Sequence, residues 1–139
     1  MKAVLPVAGA GTRLKPHTHT LPKALVNVAG KPIIGHILDV LVPAGVTEVI
    51  LIIGRMGEKI VDYVKQEYPL IVRAAAQEEQ LGLGHAVSLA SPFLRPDEPM
   101  LVVLGDTIFS ADIGAVIGGQ RSAIGVKRVT NPSSFGIVE

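Results

Sequence analysis

The chain has no cysteine. Disulfides, thiolate metal centres and cysteine nucleophiles are therefore excluded. Aromatic residues are scarce, 4% of 139, and amount to Phe93, Phe109, Phe135, Tyr63 and Tyr68. That is too few for the stacking platforms on which single-stranded nucleic acid is usually held. No apolar run approaches the roughly 20 residues needed to span a membrane. The opening residues do not read as a signal peptide, since Lys2 is followed by only six uncharged residues before a glycine. The expectation is a cytoplasmic protein that binds neither nucleic acid nor membrane. Acids are absent from residues 1–38, which carry Lys2, Arg13, Lys15, Lys23 and Lys31. The rest of the chain holds the other eight basic residues and all twelve acids, for a total net charge of +1. A local cationic field in a nearly neutral molecule suits a small anionic ligand better than a duplex.

What is present is aliphatic. Hydrophobic residues make up 48% of the chain, enough for the core of about one domain. Lys2–Val7, Val49–Ile53 and Met100–Leu104 read as buried strands and Leu70–Ala76 as a further strand, with a fifth expected over Ser122–Val129 and another opening at Gly136. Ile33–Val42 places Ile33, Ile34, Ile37, Leu38 and Leu41 on one helical face, and Pro43 and Gly45 stop it. Glu58–Tyr68 is a second amphipathic helix, and His85–Ala90 a short third. Near-continuous Val/Ile/Leu strands alternating with helices imply a mainly parallel sheet covered on both faces. Ligands of such sheets sit outside the carboxyl ends of the strands. The loops expected there are 8–23, 77–84 and 105–107, which would converge on one cleft.

The first of these loops carries the chemistry. It runs VAGAGTRLKPHTHTLPK from Val7 to Lys23. It lacks the third glycine of a dinucleotide fingerprint, because Leu14 stands there, and the chain contains no GxxxxGK[ST] string. Gly9 and Gly11 nevertheless let backbone N–H groups turn toward an anion without a Cβ in the way. Thr12 adds a hydroxyl, Arg13 a planar fork matched to phosphate oxygens, and Lys23 a point charge. Pro16 and Pro22 stiffen the path to Lys23. Asp106 follows the apolar run MLVVLG, where a buried strand meets the cleft. A turn aspartate capping Thr107 or Ile108 would look the same. Beside a phosphate loop, a carboxylate that holds Mg²⁺ is the better reading. Gln77 offers a donor and an acceptor on one amide, enough to read a base edge, and Gly82 and Gly84 allow a flat ring to approach. His17 and His19 alternate in the loop with no third ligand nearby, so a metal site is not expected there. Arg55, Lys59, Lys65, Arg73 and Arg95 read as solvated charges.

Gly9-Ala10-Gly11-Thr12-Arg13-Leu14, then Pro16, Thr18 and Pro22-Lys23, resembles the GxGTRLxPxTxxxPK signature of the sugar-1-phosphate nucleotidyltransferases, the nucleoside-diphosphate-sugar pyrophosphorylases. The resemblance continues in family order through Gly30-Lys31-Pro32, Ala44-Gly45-Val46, Gln77…Gly82-Leu83-Gly84-His85-Ala86, Leu104-Gly105-Asp106 and Asn131-Pro132…Phe135-Gly136-Ile137-Val138. It implies a Rossmann-like three-layer α/β sandwich with a mainly parallel sheet, part of a GT-A-like nucleotidyltransferase domain. It implies a reaction in which a sugar-1-phosphate oxygen attacks the α-phosphorus of a nucleoside triphosphate and pyrophosphate leaves. Carried over, Ala8, Gly9, Gly11, Thr12 and Arg13 would hold the triphosphate. Arg13 would stabilise the departing pyrophosphate and Lys23 would brace the α-phosphate, which makes these two the catalytic pair. Gln77 and Gly82 would contact the base, Asp106 would hold Mg²⁺ and Gly136 would touch the sugar. UTP or dTTP and glucose-1-phosphate are the implied substrates.

The family pattern also includes a second metal-binding aspartate, a Glu-Lys-Pro segment near the sugar and a further lysine, and none of these follows Asp106 here. Glu139 has no Lys-Pro after it. Residues 1–139 are therefore read as one nucleotide-binding domain, the amino-terminal part of a longer catalytic domain, weakly active or inactive alone. A non-catalytic nucleotide-binding or regulatory module is the alternative, and a homo-oligomer is left open.

Overall fold

The computed structural model describes residues 1–9, 20–119, 121–131, 133 and 136. Four parallel strands form its main sheet: β1 (Lys2–Pro6), β4 (Glu48–Ile53), β5 (Ile71–Ala76) and β6 (Met100–Val102). Their order across the sheet is β5-β4-β1-β6. The chain thus steps outward from β1 to β4 to β5 and then crosses back to β6 on the other side of β1. The winding reverses between β1 and β6, the point where open α/β sheets form their ligand crevice.

Side-chain alternation explains the layers. Ala3, Leu5 and Val7 share a face with Val49, Leu51 and Ile53. Against that face pack Ile34, Ile37, Leu38 and Leu41 of α1 (Ile33–Leu41) and Ile60 and Val64 of α2 (Glu58–Glu67). Val4, Ile50 and Ile52 point the other way. They meet Ala86 of α3 (Leu83–Ser88) and Ala90 just beyond it. Strands buried on both faces need no polar alternation, which is why their sequences read as unbroken Val/Ile/Leu runs. The α/β fold with a mainly parallel sheet expected from the sequence is the fold found, but burial on both faces holds for the central β1 and β4 alone. At the two edges β5 and β6 are largely exposed, and Met100 and Val102 are not buried as expected. Among the described residues no polar side chain is buried.

Pro6 marks the end of β1. Its carbonyl accepts from Gly105 N, but it has no N–H to return to β6. The β1–β6 register stops at Val4↔Val102, whereas β1–β4 continues to Pro6↔Ile52. The ladder therefore lapses between β1 and β6 just where the winding reverses.

Other elements differ from the sequence reading. Between the first strand and the first helix, where the sequence suggested no regular element, the structure has a 3₁₀ turn at Lys23–Leu25 and a small hairpin of β2 (Asn27–Val28) and β3 (Lys31–Pro32). Its turn residues Ala29 and Gly30 both have positive φ, +50° and +83°, which is the twist a two-residue hairpin needs. A short helix α4 (Ile113–Ile117) was not foreseen, although Asp112 caps it by accepting from Ala115 N at 3.0 Å. The expected strand over Ser122–Val129 is not formed. Ile124 and Val126 are 72% and 71% exposed, so their alternation finds no face to bury against. Of the strand expected to open at Gly136, residues 137–139 lie outside the described residues, and Gly136 itself is in no element.

A pair of truncations tests this arrangement. Leu51→Ala empties a fully buried position and should cost about 3 kcal/mol in urea unfolding. Ile124→Ala should cost less than about 0.5 kcal/mol. A large loss at Ile124 would mean that 122–129 is packed as a strand after all.

Candidate functional site

Three loops meet at the carboxyl end of the sheet. Residues Val7–Gly9 leave β1, Gln77–Gly82 leave β5, and Val103–Thr107 leave β6. Their approach depends on glycines. A Cβ on Gly105 would lie 2.3 Å from Val7 Cγ1 and 2.8 Å from the Pro6 carbonyl oxygen. A Cβ on Gly54, just after β4, would lie 2.7 Å from the Ala8 carbonyl oxygen. Any larger residue at either position would push the exit of β1 away from its neighbours.

Gly105 delivers Asp106. Its carboxylate oxygen Oδ2 accepts from Lys23 Nζ at 2.8 Å, and Oδ1 accepts from the Thr107 hydroxyl at 3.2 Å. Lys23 opens the 3₁₀ turn that follows Pro22, where buried Ala24 and Leu25 anchor the backbone. Two residues 83 positions apart, one read as a phosphate contact and the other as a metal ligand, are thus direct neighbours. The Lys23 ammonium is the largest influence on the Asp106 carboxyl and holds it below the ordinary range, against a smaller opposing effect of burial. The carboxylate is about half exposed, so solvent reaches the pair.

Gln77 sits beyond β5, its N–H bonded to the Ile53 carbonyl. Its side-chain Nε2 lies 3.4 Å from the Gly82 carbonyl oxygen and 3.2 Å from His85 Nδ1. Gly82 has φ +96°, a conformation that glycine alone adopts without strain, and an added Cβ there would meet nothing within 4 Å. The space expected beside the glycines of this loop is open. The sequence reading missed Gln80, whose Nε2 donates to the Ala8 carbonyl at 3.3 Å. That bond ties the 77–84 loop to the exit of β1. Because the peptide is trans, it also turns the Gly9 N–H to the opposite side. Gly9 is exposed. Lys59, read as a solvated charge, donates from Nζ to the Thr20 carbonyl at 2.9 Å and ties α2 to the segment leading to Lys23. Neither contact leaves a signal in one sequence, since a surface Gln or Lys is chemically unremarked until a carbonyl stands opposite.

Among the other site residues, Gly11, Thr12 and Arg13 lie outside the described residues. Gly136 is exposed, and no hydrogen bond among the described residues links it to the cleft. The cationic field of residues 1–38 also changes on folding. Lys2 pairs with Glu98 and Glu48, Lys23 with Asp106, and Lys31 with Asp39. Acids absent from that stretch of sequence are brought to it in space. Arg13 and Lys15, its other two cations, lie outside the described residues.

Comparison with known proteins fits this geometry. Residues 2–139 match the family described as nucleotidyl transferase. The chain belongs to that family. It is 40% identical over 139 residues to the bifunctional protein GlmU of Methanococcus maripaludis, covering 100% of this chain and 32% of that protein. It is 40% identical over 122 residues to the UTP–glucose-1-phosphate uridylyltransferase AglF of Haloferax volcanii, covering 87% of this chain and 49% of the relative. A crystal structure of a putative glucose-1-phosphate thymidylyltransferase from Bacillus anthracis superposes with a TM-score of 0.76 at 31% identity, over 84% of this chain and 48% of that one. UDP-glucose pyrophosphorylase complexed with UDP-glucose superposes with a TM-score of 0.68 at 28% identity, over 76% and 45%. The chain thus spans about a third to a half of the length of these relatives.

The Lys23–Asp106 pair has a pH signature. Because the folded carboxyl titrates below the ordinary 3.8, the pair's stabilisation is complete above that pH. It is lost as pH falls through the lowered folded value. Lys23→Met should return the Asp106 titration, followed by NMR, toward the ordinary range. With both groups partly solvated, the stability difference at neutral pH should be only about 0.5 kcal/mol and should vanish in acid. An Asp106 titration unchanged in Lys23→Met would show that the two are not paired in solution.

Proposed function

We propose that this chain supplies the nucleoside-triphosphate side of a sugar-1-phosphate nucleotidyltransferase. The reaction is attack by a sugar-1-phosphate oxygen on the α-phosphorus, with the bond to pyrophosphate breaking as the new P–O bond forms. The observation that carries the reading is the direct contact of Lys23 with Asp106 at the switch point, where Gly105 packs against the exit of β1. In-line transfer of this kind asks for positioning and charge neutralisation rather than a nucleophilic side chain. A cation, a metal-type carboxylate and a glycine-lined strand exit meet that demand.

In this reading Ala8, Gly9, Gly11 and Thr12 cradle the phosphates, Arg13 meets the leaving pyrophosphate and Lys23 braces the α-phosphate. Gln77 and Gly82 contact the base, with UTP or dTTP as the nucleotide, and Gly136 approaches the sugar. Glucose-1-phosphate is the proposed acceptor, in line with the names of the uridylyl- and thymidylyltransferase relatives. Asp106 fits Mg²⁺ in its donor chemistry: a solvent-reachable carboxylate at a strand exit, where the ion takes one or two carboxylates plus substrate phosphates. The described residues hold no group of three or more His, Cys, Asp or Glu that could ligate a metal without substrate. Bound there, Mg²⁺ supplies charge neutralisation for the phosphates. Residues 1–139 are proposed to be the nucleotide-binding, amino-terminal part of a longer nucleotidyltransferase domain in a cytoplasmic enzyme, with weak nucleotide binding and little turnover by themselves.

The test is pyrophosphate release by the full-length gene product with Mg²⁺ and a panel of triphosphates and sugar phosphates. UTP or dTTP with glucose-1-phosphate should give release. Arg13→Ala should lower kcat by about 100-fold or more, as loss of a contact to developing charge does. No release with any pair would sink the proposal, and unchanged turnover in Arg13→Ala would remove Arg13 from it.

A further inference from the structure

Two features at the start of α2 work against local stability. Met56, in the turn before the helix, has φ +60°, a left-handed conformation that a long side chain seldom adopts. Lys59 is the second residue of the helix, where the positive end of the dipole disfavours a cation. It is exposed, and among the described residues it pairs with no carboxylate. What Lys59 does make is the 2.9 Å bond from Nζ to the Thr20 carbonyl. Its own backbone is firm, since Ile60 beside it is fully buried and Lys59 N bonds to the Met56 carbonyl. Thr20 opens the short run to Lys23. Leu21 packs on the core, Pro22 is buried, and Leu25 N and Val26 N bond back to the Pro22 and Lys23 carbonyls. Thr20 is the exposed end of that run, and among the described residues the bond from Lys59 is what ties it.

We propose that Lys59 is a positioning residue for Lys23. By holding the Thr20 carbonyl it fixes the path along which the Lys23 ammonium reaches its place beside Asp106. The proposal rests on the nucleotidyl-transfer reading above, in which Lys23 braces the α-phosphate. A bracing cation acts most on the charge that develops as the phosphorus is attacked. A displaced ammonium therefore lowers turnover more than it weakens nucleotide binding. Methionine at position 59 keeps the apolar stem and the helix propensity and loses the donor. It also takes a cation from the wrong end of the dipole, so the helix itself loses nothing. Stability and turnover should thus move independently, which a purely structural tie does not allow.

The experiment is pyrophosphate release by the full-length gene product with UTP, glucose-1-phosphate and Mg²⁺, set beside urea unfolding. Lys59→Met should lower kcat on the order of tenfold and leave the KM for UTP within about twofold. Its urea midpoint should be unchanged or higher. Lys59→Arg, which restores a donor on a long stem, should recover most of the loss. Lys65→Met, which takes the same charge from an exposed position of the same helix, should keep kcat. Added to Lys23→Met, Lys59→Met should lower kcat no further, because it acts through the lysine already removed. Three results would each overturn the role of Lys59 and leave the nucleotidyl-transfer reading standing. They are an unchanged kcat in Lys59→Met, a loss fully additive to that of Lys23→Met, or a loss accompanied by a lowered urea midpoint. No release by the unaltered protein would overturn both.

Discussion

The two central strands are apolar on both faces, and every other feature of the molecule follows from that. Val4, Leu5, Ile50, Leu51 and Ile52 are fully buried, and among the described residues no polar side chain is buried with them. A sheet of this kind has no room for chemistry along its length, because each polar group moved inside would need a partner there. Polar groups are driven to the two ends. At the amino end Lys2 donates to the Phe93 carbonyl and Glu98 and approaches Glu48, which also pairs with Arg73. This end is a closed set of mutually satisfied charges. At the carboxyl end the groups are Gly9, Lys23, Gln77, Gln80 and Asp106, and their bonding is less complete.

That difference is built by backbone more than by side chains. Pro6 withholds an N–H from β6, and the β1–β6 register stops at Val4↔Val102. Gly54 and Gly105 then bring the neighbouring strand exits to within van der Waals distance of Val7 and Ala8. The loops that leave them cannot drift apart. Asp106 meets Lys23 because its strand exit is fixed and Ala24 and Leu25 anchor the turn that carries the lysine, and Gln80 reaches Ala8 across two such exits.

The periodic part of this was legible in the sequence. Four strands and three helices were placed to within one or two residues at most ends, since unbroken aliphatic runs and a 3.6-residue stripe are local signals. The meeting of Ala8, Gly9 and Lys23 with the loops after β5 and β6 also followed, because strand exits of a parallel sheet share one edge; residues 10–19 of the first loop lie outside the described residues. What failed was non-local. Ser122–Val129 has the composition of a strand, yet Ile124 and Val126 find no partner surface. The hairpin at 27–32 is too short to show a period. Gln80 and Lys59 bind carbonyls 72 and 39 residues away, and nothing near them in sequence says so.

Charge is where the linear reading misleads most. An acid-free stretch of 38 residues with five cations suggests a surface waiting for an anion. In the fold, three of those cations already have carboxylates, drawn from positions 39, 48, 98 and 106. The pairs are not equivalent. Lys2 is held by a carbonyl and two acids on a side chain that is 18% exposed, so it has little to offer a ligand. Lys31 shares Asp39 with the Tyr68 hydroxyl and fastens the hairpin to α1. Lys23 has one carboxylate, itself about half exposed, at the mouth of the switch point. An exposed pair of this kind contributes little to stability and can be opened by a stronger partner on either side. A phosphate would compete for the ammonium and a divalent cation for the carboxylate, so under the proposed nucleotide chemistry this is the contact most easily exchanged.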